Sequence, residues 1–138
     1  MKRFVLDASV AVAWCFEDEC DAVADAALNL LESAEAVVPP TWPIEVGNAL
    51  LAGERRKRIT AARTARALAN LRNLSIRLDK AREDIGVNDL VSLARDYKLS
   101  VYDAAYLSLA IREGIPLATL DRRLAGTARS AGVELVGP

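Results

Sequence analysis

Three stretches of this chain are short, apolar and free of polar alternation: Phe4-Val5-Leu6, Ala36-Val37-Val38, and the run from Ile115 towards Thr119. A strand with one face in water alternates apolar and polar side chains, so strands of this kind are covered on both faces. A parallel sheet with helices on each side meets that condition. Alanine supplies 25 of the 138 residues, which favours helix between the strands because Ala loses no side-chain entropy there. The expected fold is α/β, a single domain over residues 1–138 with a central parallel sheet of four to five short strands flanked by helices.

The remaining elements follow from local signals. Further strands are expected at Ser75–Asp79 and Val133–Val136, and Pro39-Pro40 stops the one at Ala36–Val38. Helices are expected over Ala8–Phe16 and Asp18–Ser33. Another should run from an N-cap at Thr41, with Pro43 in its first turn, to Arg58. Thr60 should cap the next, in which Ala61, Ala65, Leu68 and Leu71 recur at helical spacing. Arg82–Tyr97, Val101–Glu113 with its stop at Gly114, and Asp121–Ala131 complete the set. No repeat, linker or low-complexity tract interrupts the chain.

The chain has no histidine. That removes Ser-His-Asp and Cys-His catalysis, imidazole bases and His-containing zinc sites. Its two cysteines, Cys15 and Cys20, are too few for an all-cysteine zinc site and form no C-x-x-C pair, so they are expected to be reduced thiols. No apolar stretch approaches the length that spans a bilayer, and no secretory leader is expected, which points to a cytoplasmic protein without a membrane partner.

Net charge is −1, but it is unevenly spread. From Glu54 to Arg82 ten basic residues stand against two acids, a local charge of +8, whereas residues 1–45 carry −7. Few acids lie nearby in sequence to pair with this basic stretch. Arg55, Arg56 and Arg58 are therefore candidates to face the phosphates of a polyanion, which the resemblance described below would make RNA, the alternative being a solvated helix face.

Four separated acids stand out. Asp7 ends the first strand, Glu45 lies one turn into the helix after Thr41, Asp103 opens the helix at Tyr102, and Asp121 follows the strand ending at Thr119. In parallel α/β folds, groups that do chemistry collect at such strand ends and helix starts. Taken alone, Asp7 or Asp121 is better explained as a helix cap. Glu45 resists that explanation, because it lies past the capping positions among Trp42, Val46 and Ala49. Several carboxylates brought together need a cationic partner. With no histidine, that partner is Arg or Lys, or a hard divalent cation with oxygen ligands, Mg²⁺ or Mn²⁺. Such a site suits hydrolysis of a phosphodiester by a carboxylate-bound, metal-activated water. Ser9, Thr119 and Asn48 are placed to orient the carboxylates or a water without adding charge.

The ordered set Asp7-Ala8-Ser9-Val10, Trp14, Pro39-Pro40-Thr41-Trp42, Glu45, Asn48, Tyr102-Asp103-Ala104-Ala105-Tyr106 and Pro116-Leu117-Ala118-Thr119-Leu120-Asp121 resembles the PIN-domain nucleases. More narrowly, it resembles the VapC-type toxins of bacterial toxin–antitoxin pairs. The resemblance covers nearly the whole chain and implies a PIN fold with Mg²⁺- or Mn²⁺-dependent endoribonuclease activity. It also implies homodimerisation and inhibition by a VapB-type antitoxin whose tail enters the active-site groove. The family's acidic quartet maps onto Asp7, Glu45, Asp103 and Asp121, with Thr119 as the usual hydroxyl partner beside the last acid.

Other α/β classes fit less well. A receiver domain needs adjacent acids after the first strand, and Asp7 is followed by Ala8. A haloacid-dehalogenase-like phosphatase needs a second Asp where Ser9 stands, and no Gly-rich nucleotide loop occurs. The alternative that remains is a non-catalytic RNA-binding or structural module.

Overall fold

The computed structural model describes residues 2–79 and 86–138. Among them four strands, β1 (Lys2–Leu6), β2 (Ala34–Val38), β3 (Ile76–Leu78) and β4 (Leu117–Ala118), form one parallel sheet in the order β3-β2-β1-β4. Helices α1 (Ala8–Cys15), α2 (Ala22–Leu30), α3 (Trp42–Arg55) and α4 (Ala61–Arg72) occupy the first half. Helices α5 (Val87–Tyr97), α6 (Val101–Glu113) and α7 (Arg122–Ser130) follow. Phe4, Val5 and Leu6 are all fully buried, as strands covered on both faces must be. Val5 pairs with Val37 on one side and Leu117 on the other, so β1 is the centre of the core.

The order places β2 and β3 on one side of β1 and β4 on the other. The chain therefore changes direction across the sheet between β1 and β4, and the crevice outside their carboxyl ends lies at that switch point. Asp7 stays in the ladder through its N–H, which donates to the Ala118 carbonyl at 2.9 Å. Ser100 caps α6 by accepting the Asp103 N–H at 3.1 Å, and Gly114, at φ +64°, ends it in the left-handed conformation that glycine adopts without strain.

Several boundaries differ from expectation, each for a local reason. The second helix begins at Ala22, because Asp21 caps it by accepting the N–H groups of Val23 and Ala24 at 2.7 and 3.2 Å. Thr41 occupies the N-cap position of α3 but makes no capping bond; its hydroxyl points to Glu45 instead, at 3.3 Å. A last strand over Val133–Val136 does not form. β4 is only two residues long, and Leu135 makes a single parallel bridge to Leu117. The helix expected from Arg82 is seen as α5 from Val87; Lys80 and Arg82 lie outside the described residues.

The basic stretch also differs from expectation, because its partners come from far along the chain. Arg58 binds Asp18 at 3.1 Å and Glu19 at 3.7 Å, with its guanidinium 4.2 Å above the Phe16 ring. Arg63 pairs with Glu17, and Arg77 with Glu35 at 3.0 Å. The turn from α3 to α4 thus grips the acidic segment after α1. Arg55 and Arg56 are exposed and form no ion pair among the described residues. Both cysteines are free thiols; burial pushes the Cys15 thiol up, while Cys20 is exposed.

Candidate active site

Asp7 follows the last residue of β1, and its carboxylate is almost fully buried, with 6% of the residue exposed. It sits at the N-cap position of α1 without making a capping bond. Its Oδ2 instead accepts two hydroxyl hydrogen bonds, from Ser9 Oγ and Thr119 Oγ1, both at 2.7 Å. Each hydroxyl in turn accepts a backbone N–H: Leu120 donates to Ser9 at 3.1 Å and Asp121 donates to Thr119 at 3.0 Å. The β4–α7 turn therefore delivers two amide dipoles to Asp7 through two neutral hydroxyls, which fixes the carboxylate without cancelling its charge.

Asp121 is the N-cap of α7: Oδ1 accepts the N–H groups of Arg123 and Leu124 at 2.9 and 3.1 Å. The capping explanation thus holds for Asp121 and fails for Asp7. Glu45 projects from α3, where Oε2 accepts the Tyr106 hydroxyl at 2.9 Å and the Thr41 hydroxyl at 3.3 Å. Asp103 comes from the first turn of α6 and is half-buried. Asn48, one turn beyond Glu45, is exposed and hydrogen-bonds none of the four acids.

The acids act on one another. Burial pushes the Asp7 carboxyl above its ordinary value; the Ser9 and Thr119 hydroxyls oppose that rise, and the charge of Asp121 adds to it. Glu45 is raised by burial and by repulsion from Asp7 and Asp103, against the Tyr106 hydrogen bond. Asp103 is raised by burial and then by Asp7 and Asp121, with Ser100 and the nearby Arg123 charge opposing. Repulsion therefore links all four carboxylates. Among the described residues no Lys or Arg forms an ion pair with any of them. The separation from guanidinium groups fits a donor set for a hard divalent cation, which prefers carboxylate and hydroxyl oxygen. With the rotamers seen here, no three described Asp, Glu or Cys side chains are gathered tightly enough to grip one ion.

One site residue was not singled out by chemistry in the sequence. Tyr106 lies in an apolar helical run and reads as core, which it is, being fully buried. Its hydroxyl nevertheless reaches Glu45, and the contact spans 61 positions of sequence.

Fold and site together define a small parallel α/β domain with four mutually repelling carboxylates around its topological switch point. The chain belongs to the PIN domain family, which it matches over residues 4–130. Among solved structures it is similar to PAE2754 from Pyrobaculum aerophilum, with 26% identity and a TM-score of 0.69 over 91% of this chain and 84% of that one. It also shares its fold with the toxin VapC20 of Mycobacterium tuberculosis, which cleaves the sarcin-ricin loop (19% identity, TM-score 0.62, 98% and 99% coverage). FitAcB from Neisseria gonorrhoeae is a further match, at 15% identity and a TM-score of 0.62 over 98% and 97% of the two chains. No curated protein matches the sequence.

Proposed function

We propose that this protein is a metal-dependent endoribonuclease that serves as the VapC-type toxin of a toxin–antitoxin pair. The observation that carries the reading is that four carboxylates, from the end of β1, α3, α6 and the β4–α7 turn, repel one another, with no guanidinium paired to any of them among the described residues. PIN domains are generally nucleases, and one protein of the same fold is an RNA-cleaving toxin.

Asp7, Glu45, Asp103 and Asp121 would hold Mg²⁺ or Mn²⁺. When bound, such an ion supplies a water acidic enough to attack near neutral pH and positive charge for the phosphate oxygens. The protein's own part is orientation. Ser9 and Thr119 hold one Asp7 oxygen, and the α7 amides hold one Asp121 oxygen. Asn48, exposed on α3, is close enough in sequence to Glu45 to meet a water or a phosphate arriving from solvent.

RNA would approach over the exposed Arg55 and Arg56. Arg58, already paired with Asp18 and Glu19, is a weaker candidate. A VapB-type antitoxin is the proposed partner. Grooves of about 330 and 420 Å³ flank α4, one beside Trp14 and Leu28 and the other beside Trp42 and Leu68, and both offer apolar walls to a partner segment. The most exposed large apolar side chains, Ile44, Val87 and Tyr102, support the proposal of a homodimer. Among the described residues no helix is long and apolar enough to cross a membrane; a cytoplasmic location remains part of the proposal.

The test is RNA cleavage by the purified protein with Mn²⁺ or with EDTA, beside Asp7→Asn, together with growth arrest on expression. Cleavage that needs Mn²⁺ and is lost in Asp7→Asn is the expected result. Cleavage in EDTA, or at wild-type rate by the variant, overturns the mechanism.

A further inference from the structure

The Tyr106 hydroxyl makes two hydrogen bonds, accepting from the Ala8 N–H at 3.3 Å and donating to Glu45 Oε2 at 2.9 Å. The amide can only donate and an ionised Glu45 can only accept, so the direction of both bonds is fixed. Ala8 is the first residue of α1, and its N–H is one of the donors that a helix start leaves without a helical partner. Asp7, at the N-cap position, does not supply a capping bond. The phenol accepts that N–H, which also favours the neighbouring Asp7 carboxylate, and at the same time donates to Glu45. A hydroxyl polarised by an amide at the positive end of a helix is a stronger donor than an isolated one.

The bond also has a geometric consequence. Glu45 Oε2 accepts both hydroxyls, from Tyr106 and from the exposed Thr41, while Oε1 accepts no hydrogen bond from any described residue. Tyr106 lies on α6 three residues after Asp103, a spacing that puts neighbouring side chains on one helix face. One buried hydroxyl thereby ties α1, which follows Asp7, to α3, which carries Glu45, and to α6, which carries Asp103.

We propose that Tyr106 is a positioning residue: by holding Glu45 Oε2 against the start of α1, it sets where Glu45 stands relative to Asp7 and Asp103 and leaves Oε1 available to a divalent cation. The inference rests on the metal-dependent reading above and adds a residue to it.

The experiment is calorimetric titration of the full-length, metal-stripped protein with Mn²⁺ alone, beside thermal unfolding, for wild type, Tyr106→Phe, Glu45→Gln and the double variant. Tyr106→Phe should fold and bind Mn²⁺ about tenfold more weakly. In the Glu45→Gln background the same change should alter affinity by less than about twofold, because the two residues act as one unit. Thr41→Val, at an exposed site, should weaken binding by a smaller factor and likewise lose its effect without Glu45. Wild-type affinity in Tyr106→Phe, an equal loss with and without Glu45, or a Tyr106→Phe chain that cannot fold each overturns the inference. Wild type that neither binds Mn²⁺ nor cleaves RNA overturns the nuclease reading as well, whereas wild type that does both while Tyr106→Phe matches it overturns this inference alone.

Discussion

The chain contains two groups of acids treated in opposite ways. Glu17, Asp18 and Glu19, in the segment after α1, each meet a guanidinium: Glu17 meets Arg63, and the other two meet Arg58. Asp7, Glu45, Asp103 and Asp121 meet hydroxyls and amides, and their carboxyl groups repel one another. The first group closes a surface segment onto the α3–α4 turn. The second has no ion-pair partner among the described residues and is partly buried, where isolated ions are costly. Acids satisfied by arginine close the fold, whereas the proposed function assigns the acids left to neutral donors to a ligand.

The largest test of that contrast is catalytic. Asp103→Asn should lower the RNA cleavage rate by about 10²–10³-fold, since it removes one charge from a preorganised cluster. Glu17→Gln, an acid of the paired group, should stay within about twofold in the same assay. Equal losses in the two would erase the distinction.

A second test probes the packing beneath the paired group. Gly53 on α3 faces the Phe16 ring, and a Cβ there would lie 2.6 Å from Phe16 Cζ. Gly53→Ala should therefore cost about 1–3 kcal/mol by overpacking, read as a lower thermal midpoint. An unchanged midpoint would show that the ring, and the Arg58 above it, moves freely.

Stability against pH separates the groups with a sign. The Asp7 carboxyl is raised above its ordinary value by burial, so the folded protein holds that proton more tightly than the unfolded chain does. As pH rises from the ordinary carboxylate value through the raised one, the unfolded state releases the proton first and folding loses stability. Asp7→Asn keeps an acceptor oxygen for Ser9 and Thr119 while removing the charge. It should stabilise the metal-free protein at pH 8 by about 1 kcal/mol, with the gain vanishing in acid. A loss at pH 8 would mean that the buried charge is compensated after all.

The smallest effects belong to the surface. Arg58→Ala should cost about 0.5 kcal/mol, because its ion pairs are exposed and its stacking on Phe16 is modest. Replacing Arg55 and Arg56 together by Ala should reduce the slope of log affinity for RNA against log salt by about 2. An unchanged slope would return both residues to the solvated face of α3.

Much of this was legible from local pattern. The unalternated runs at Phe4–Leu6 and Ala36–Val38 located β1 and β2, and Thr60 and Gly114 marked helix ends where they stand. The four acids were legible because each follows a strand or opens a helix, positions set by near neighbours. The pairing of Arg58 with Asp18 was not, since it joins residues 40 positions apart. The double role of Tyr106 was hidden for the same reason: within Ala104-Ala105-Tyr106-Leu107 nothing distinguishes a phenol that fills core from one that also donates a hydrogen bond.

The sequence by itself determined which segments become strand or helix and which carboxylates stand at their junctions, because backbone periodicity and capping are settled within a few residues. Only the tertiary structure decided which charges are neutralised and which are left exposed to one another. The order β3-β2-β1-β4 brings the ends of β1 and β4 together. Partners in an ion pair or a long-range hydrogen bond are chosen by where the sheet and helices carry them, and spacing along the chain does not encode that.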